Sequence, residues 1–184
     1  MSDTTLAPTT RIQRPGWPEL VAGAIAFAIG MAATIWLFST FTFDGVTAGL
    51  VQYALSGTLG LLGFAAAWAV RTRRLDVLGV RRASGRWLAI GAASGVGTFA
   101  LGLLASVGLS LFVPAPENIQ ADYQTAAAGG AVAFVATLLL GAVLTPLGEE
   151  AFFRGVVANA MGRWSAWIAV PFSAAIFAVV HGIN

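Results

Sequence analysis

The chain has no cysteine, no lysine and a single histidine, His181, among its 184 residues. Without cysteine there is no disulfide framework, no thiolate metal site and no cysteine nucleophile. One histidine excludes the H-E-x-x-H zinc helix of site-2-type proteases, and neither the G-x-S-G of rhomboid proteases nor the G-x-G-D of presenilin-like aspartyl proteases occurs. Charge is also scarce: Asp, Glu, Lys and Arg make up 10% of the residues, against about 25% in a soluble domain.

In place of charge there are long apolar runs. Residues 20–43, 45–70, 87–116, 123–148 and 164–184 hold no Asp, Glu, Lys or Arg. Each reaches the ~20 residues that cross a ~30 Å hydrocarbon core as a helix. The fold class predicted is therefore all-α, a polytopic membrane protein with about five transmembrane helices over 19–43, 46–70, 87–113, 124–161 and 165–184. Residues 1–16 read as a disordered cytoplasmic tail, and 17–184 as the helical membrane domain. The apolar run after Arg11 and Arg14 is too long for the core of a secretory signal.

All ten basic residues are arginine, and they fall on one side of these spans. Arg11 and Arg14 precede the first, Arg71, Arg73, Arg74, Arg81, Arg82 and Arg86 fill the second connection, and Arg154 and Arg163 lie between the last two. The opposite loops carry only Asp44, Glu117 and Asp122. The positive-inside rule then puts the N-terminus in the cytoplasm and the chain in the plasma membrane as a multi-pass protein. The basic cluster reads as a topogenic loop at lipid head groups rather than a nucleic-acid surface. Trp17, Trp68, Trp87 and Trp164 fall near the same boundary, as an aromatic belt would. Glycines crowd the second and third runs, where small residues let helices approach closely. Pro114 to Asn118 reads as the start of an outer loop.

Against this background the stretch Thr145-Pro146-Leu147-Gly148-Glu149-Glu150-Ala151-Phe152-Phe153-Arg154-Gly155 stands out. A charge at membrane depth costs at least ~2.5–3.5 kcal/mol, so two adjacent carboxylates there mark a functional site. Glu150 and Arg154 are at i and i+4 and can pair, while Glu149 is rotated about 100° away on the helix. With a turn at Gly162-Arg163-Trp164-Ser165, two antiparallel helices place Glu149 and His181 at similar depth, each roughly 18–23 Å from the turn. Glu149 is thus expected to face His181, with Glu150 held by Arg154.

These residues resemble a known family. Glu149-Glu150-Ala151-Phe152-Phe153-Arg154 reads E-E-x-x-x-R and Phe177-Ala178-Val179-Val180-His181 reads F-x-x-x-H, as in the CAAX-protease and bacteriocin-processing (Abi) family of intramembrane proteases. The Leu78-Gly79-Val80-Arg81-Arg82 loop is similar too, so the protease-like core spans 71–184. The resemblance implies hydrolysis of a peptide bond in a membrane-associated peptide or CAAX-type protein. Glu149 would be general base on water, assisted by His181, and Glu150 with Arg154 would orient the set. The expected partners are membrane lipid and a peptide or protein substrate, not nucleic acid.

Members are often termed metalloproteases. With one histidine and no third donor in the pattern, no cofactor is favoured, and zinc on Glu149 and His181 is the alternative. Members also carry a later H-x-x-x-N or H-x-x-x-D that stabilises the oxyanion or completes a metal site. This sequence stops at Asn184, three residues after His181, so the expectation is a fragment of a longer parent, without donors that contribute ~3–4 kcal/mol to catalysis. Two other readings compete: a non-catalytic immunity or scaffold protein in which Glu150 and Arg154 are structural, and a small-solute transporter with a buried carboxylate.

Overall fold

The computed structural model describes residues 14–71, 73–112, 118 and 120–182. Most of the expected tail, the turn at Pro114 to Glu117, and Asn184 lie outside them. Among the described residues the regular structure is all helical, without a strand: α1 (Trp17–Thr40), α2 (Gly45–Val70), α3 (Gly85–Ser110), α4 (Ala121–Ala128), α5 (Ala131–Met161) and α6 (Ala166–Gly182). Four of them, α1, α2, α3 and α5, are long and apolar enough to cross a membrane. The fifth expected span, α6, has 17 described residues. That is at the short end of the range for a crossing helix.

Residues 81–121, with α3, form one compact unit, and the remainder forms the other. Within the larger unit, Asp44 starts α2 by accepting from the backbone N–H of Val46 and Thr47 and from the Thr47 hydroxyl. The stretch expected as one helix over 124–161 is two. Gly130 has φ +98°, a conformation open to glycine at no steric cost, and the Gly129-Gly130 doublet breaks the chain there before α5 begins.

Helix α5 is not uniformly α. Residues Leu140–Leu144 and Glu150–Ala158 widen into π-helical turns, with Thr145–Glu149 α-helical between them. Pro146 supplies a reason for the first: it has no N–H to donate and its ring crowds the carbonyl one turn back, and a wider turn relieves both. The consequence is that Glu149 ends an α-helical segment and Glu150 begins a π-helical one.

Helices α1 and α2 run antiparallel. A Cβ on Gly23 would meet the Gly63 carbonyl at 2.8 Å. At their adjoining ends Glu19, 0% exposed, takes Arg71 on both carboxylate oxygens at 2.8 and 3.1 Å and the Gly16 N–H at 2.7 Å. Helix α5 runs parallel to α2, and glycines set their separation. A Cβ on Gly57 would meet the Leu144 carbonyl oxygen at 2.6 Å, and one on Gly63 would meet the Phe152 ring at 2.7 Å. Side chains on Gly60 and Gly148 would strike the facing backbone outright. Lipid tails are as apolar as leucine, so such helices are held by close packing rather than by expulsion from water.

A buried cluster of Ala67, Leu78, Phe152, Phe153, Val156 and Val157 lies under the second π turn. Leu78 enters it from the loop after α2, where Gly79 adopts φ +84°, and Asn159 Nδ2 donates to the Val77 carbonyl at 2.6 Å. Gly155 leaves room for that loop, since its Cβ would lie 2.9 Å from the Leu78 carbonyl oxygen. The turn from α5 to α6 is tied to the start of α1. Arg14 donates to the Gly162 carbonyl, and the Arg163 guanidinium lies over the Trp17 and Trp164 rings at 4.9 and 4.5 Å.

Because both backbones are in contact at Gly148, Gly148→Ala is expected to cost about 1–3 kcal/mol. Thermal unfolding in detergent reads this as a drop of several degrees, and an unchanged midpoint would show that α2 and α5 are not in backbone contact.

Candidate active site

The last turn of the α-helical segment in α5 holds Glu149, and the last turn of α6 holds His181. The antiparallel α5–α6 pair brings them together: His181 Nε2 lies 3.3 Å from Glu149 Oε1. The pair is registered lower down by the buried Ser173, whose hydroxyl donates to the Phe153 carbonyl at 3.0 Å. The Glu149 side chain is 21% exposed and that of His181 46%.

His181 is fixed on two sides. Its ring stacks on Phe177 at 4.1 Å and 26°, and its Nδ1 lies 2.9 Å from the Phe177 carbonyl oxygen. Phe177 continues into an aromatic series, edge-on to Phe153 at 5.1 Å, which meets Phe152 and Phe27 in turn. Phe27 and Phe152 stack at 4.9 Å. The F-x-x-x-H spacing thus orients the imidazole through ring and carbonyl of one residue, a turn before it.

A carbonyl oxygen only accepts, so the Phe177 carbonyl takes its hydrogen from Nδ1. Nε2 faces Glu149 Oε1 at 3.3 Å, within reach of a hydrogen bond. The same oxygen accepts from the Ser56 hydroxyl of α2 at 3.4 Å.

Glu150 and Arg154 pair as expected, Arg154 Nε to Glu150 Oε2 at 3.0 Å. Their side chains are exposed, 54% and 77%, and no side-chain hydrogen bond or ion pair joins either to Glu149 or His181 among the described residues. The structure thus unites Glu149 with His181 and sets Glu150 with Arg154 apart.

Ser56, which the sequence reading did not single out, reaches the site because of the α2–α5 approach. One turn earlier the Thr145 hydroxyl donates to the Tyr53 carbonyl at 3.0 Å. Tyr53 and Tyr123 pack at 4.4 Å, and Gln52 donates to Asp122 at 3.0 Å. Burial, together with the neighbouring Tyr53, Glu149 and Asp122, raises the pKa of the Tyr123 hydroxyl, in α4, from its ordinary value. Tyr123 therefore stays protonated well above neutral pH.

Zinc is the metal that this donor pair would take. Glu149 and His181 offer two donors, and a 3.3 Å separation suits two atoms each ~2.0–2.2 Å from one ion. A catalytic zinc takes three protein ligands, and among the described residues no group of three His, Asp or Glu side chains is placed to hold a metal. The described donors do not make up such a site.

Phe177→Leu should remove the stacking term of about 0.5–1.5 kcal/mol and loosen the imidazole. As His181 is the only histidine, its acylation by diethyl pyrocarbonate reports it alone and should quicken severalfold, whereas an unchanged rate would show that Phe177 does not hold the ring.

No curated protein and no solved structure matches the chain. Residues 131–184, which hold Glu149, Glu150, Arg154 and His181, match the family model described as Rce1-like, type II CAAX prenyl endopeptidase. The helix pair that joins Glu149 to His181 thus lies within the segment that is similar to the Rce1-like CAAX prenyl endopeptidases.

Proposed function

We propose that this multi-pass membrane protein is an endopeptidase that hydrolyses a peptide bond in a membrane-associated peptide or CAAX-type protein. Glu149 serves as general base on water and His181 as its partner. The observation that carries this reading is the 3.3 Å Glu149–His181 contact within the segment that matches the family.

The chemistry follows from how the carboxylate is used. Oε1 faces Ser56 and His181, which leaves Oε2 to accept a proton from water. As water's oxygen bonds to the substrate carbonyl carbon, its proton passes to Oε2. When the C–N bond breaks, that proton passes to the leaving amine, and the carboxylate is restored. His181, 3.3 Å away, steadies Glu149 as it takes up and returns that proton.

This scheme is written without a metal; zinc on Glu149 and His181 is the alternative, for which the described residues supply two of the three protein donors of a zinc hydrolase. Glu150 and Arg154, paired on the exposed side of α5, would act by holding the π turn rather than by touching the reacting atoms. Topology fits the same reading: Arg14, Trp17, Arg71, Arg163 and Trp164 gather at one end of the bundle. We assign that end to the cytoplasmic face of the plasma membrane.

The test is hydrolysis of a farnesylated CAAX-terminated peptide by the chain in lipid vesicles. Glu149→Gln should lower turnover by about 10²–10⁴-fold with thermal unfolding unchanged, and Glu150→Gln should lower it much less. Equal turnover by wild type and Glu149→Gln would refute the assignment.

A further inference from the structure

Ser56 lies outside the matched segment and outside both motifs, yet it is the only residue of α2 with a hydrogen bond to Glu149 among the described residues. We infer that Ser56 is a positioning residue: with His181 it holds one oxygen of the Glu149 carboxylate, and so fixes the group with its other oxygen toward water. The inference rests on the proposed hydrolase reading and adds a residue to it.

Geometry makes the contact a built one. Ser56 precedes Gly57, whose absent side chain lets α2 touch Leu144, and Gly60 sits against Gly148, the residue before Glu149. The Thr145 hydroxyl bonds to the Tyr53 carbonyl at 3.0 Å and the Ser56 hydroxyl to Glu149 at 3.4 Å. Two cross-helix hydroxyl bonds thus flank the glycine contact, one turn apart on each helix.

The direction of donation matters as well. A carboxylate only accepts, so Ser56 donates to it. A glutamate side chain at the helix–helix contact can rotate about its last torsion, which is broad and roughly two-fold. His181 alone would leave the carboxylate plane free to tilt about that torsion. A second donor from another helix converges on the same oxygen and fixes the plane, with the other oxygen turned away from both partners. At 3.4 Å the contact is long for two oxygens, which hydrogen-bond at ~2.7–2.8 Å, so substrate and water in the site would have to tighten it. Threonine keeps the hydroxyl, and alanine removes it without adding bulk.

The experiment uses the full chain in vesicles, with farnesylated CAAX peptide as probe and with ¹⁵N-labelled histidine, whose signals come from His181 alone. Wild type, Glu149→Gln, Ser56→Ala and Ser56→Thr are compared for kcat, KM and the His181 ring-nitrogen shifts at one fixed pH. Ser56→Ala is expected to lower kcat about tenfold, the size of one hydrogen bond to a charged group, with KM within about twofold. The His181 signals should move in Ser56→Ala and return in Ser56→Thr, which should keep kcat within about threefold.

If wild type cleaves, Glu149→Gln does not, and Ser56→Ala matches wild type in kcat and in His181 signals, the inference on Ser56 falls and the hydrolase reading stands. If kcat falls equally in Ser56→Ala and Ser56→Thr with the His181 signals unmoved, Ser56 is only a packing residue. If wild type does not cleave at all, the hydrolase reading fails and the positioning role fails with it.

Discussion

Backbone contact between α2 and α5 is the constraint from which the rest of the site follows. Gly57, Gly60 and Gly148 have no side chains to hold the two helices apart, and a Cβ on any of them would enter the opposite backbone. Only at that distance can a serine hydroxyl, with its short reach, arrive at a glutamate on the neighbouring helix. Glycine costs helix stability of about 1 kcal/mol per residue in water, so four glycines at Gly49, Gly57, Gly60 and Gly63 of one helix need a packing reason. The contacts of that face with α1, α4 and α5 supply it.

The second dependence is on rigidity around a charge. A carboxylate and an imidazole in apolar surroundings gain nothing from mobile water, so fixed partners must stand in for it. Glu149 has Ser56 and His181, and His181 has the Phe177 carbonyl and ring. Behind Phe177 the aromatic series through Phe153, Phe152 and Phe27 reaches α1, while Leu78 from the loop after α2 closes the cluster beneath. The imidazole is therefore oriented by packing that begins two helices away. The Glu19–Arg71 pair and the Arg14–Gly162 bond anchor the opposite end of the same helices. Widened turns fit this picture: π turns are frequent at functional sites, and here one begins at Glu150.

Much of this was legible in the residues. Apolar run length gave an all-helical membrane chain, and a depth estimate from the Gly162–Ser165 turn put Glu149 opposite His181, which is where the structure has them. The E-E-x-x-x-R and F-x-x-x-H patterns pointed to the family whose model residues 131–184 match. What stayed hidden depends on three-dimensional packing. Ser56 is one of several hydroxyls on an apolar helix, and nothing in its spacing announces a partner 93 residues away. The π turns have no periodicity signature over so few residues. The break at Gly129-Gly130 was written in the sequence as a glycine doublet, but the apolar run continued across it and outweighed the signal. The burial of Glu19 was masked by its position beside the first apolar run, where it reads as an ordinary flank.

The central claim is that Glu149 and His181 meet as a hydrogen-bonded pair in the membrane. The most direct measurement is the solid-state NMR distance between His181 Nε2 and the Glu149 carboxyl carbon, with the chain in lipid bilayers and the single histidine ¹⁵N-labelled. A distance within about 4 Å, as for a charge-assisted hydrogen bond, is the result expected. Ring and carboxyl separated beyond about 6 Å, outside the reach of even a close charge–charge interaction, would contradict the pairing and, with it, the assignment of Glu149 as base.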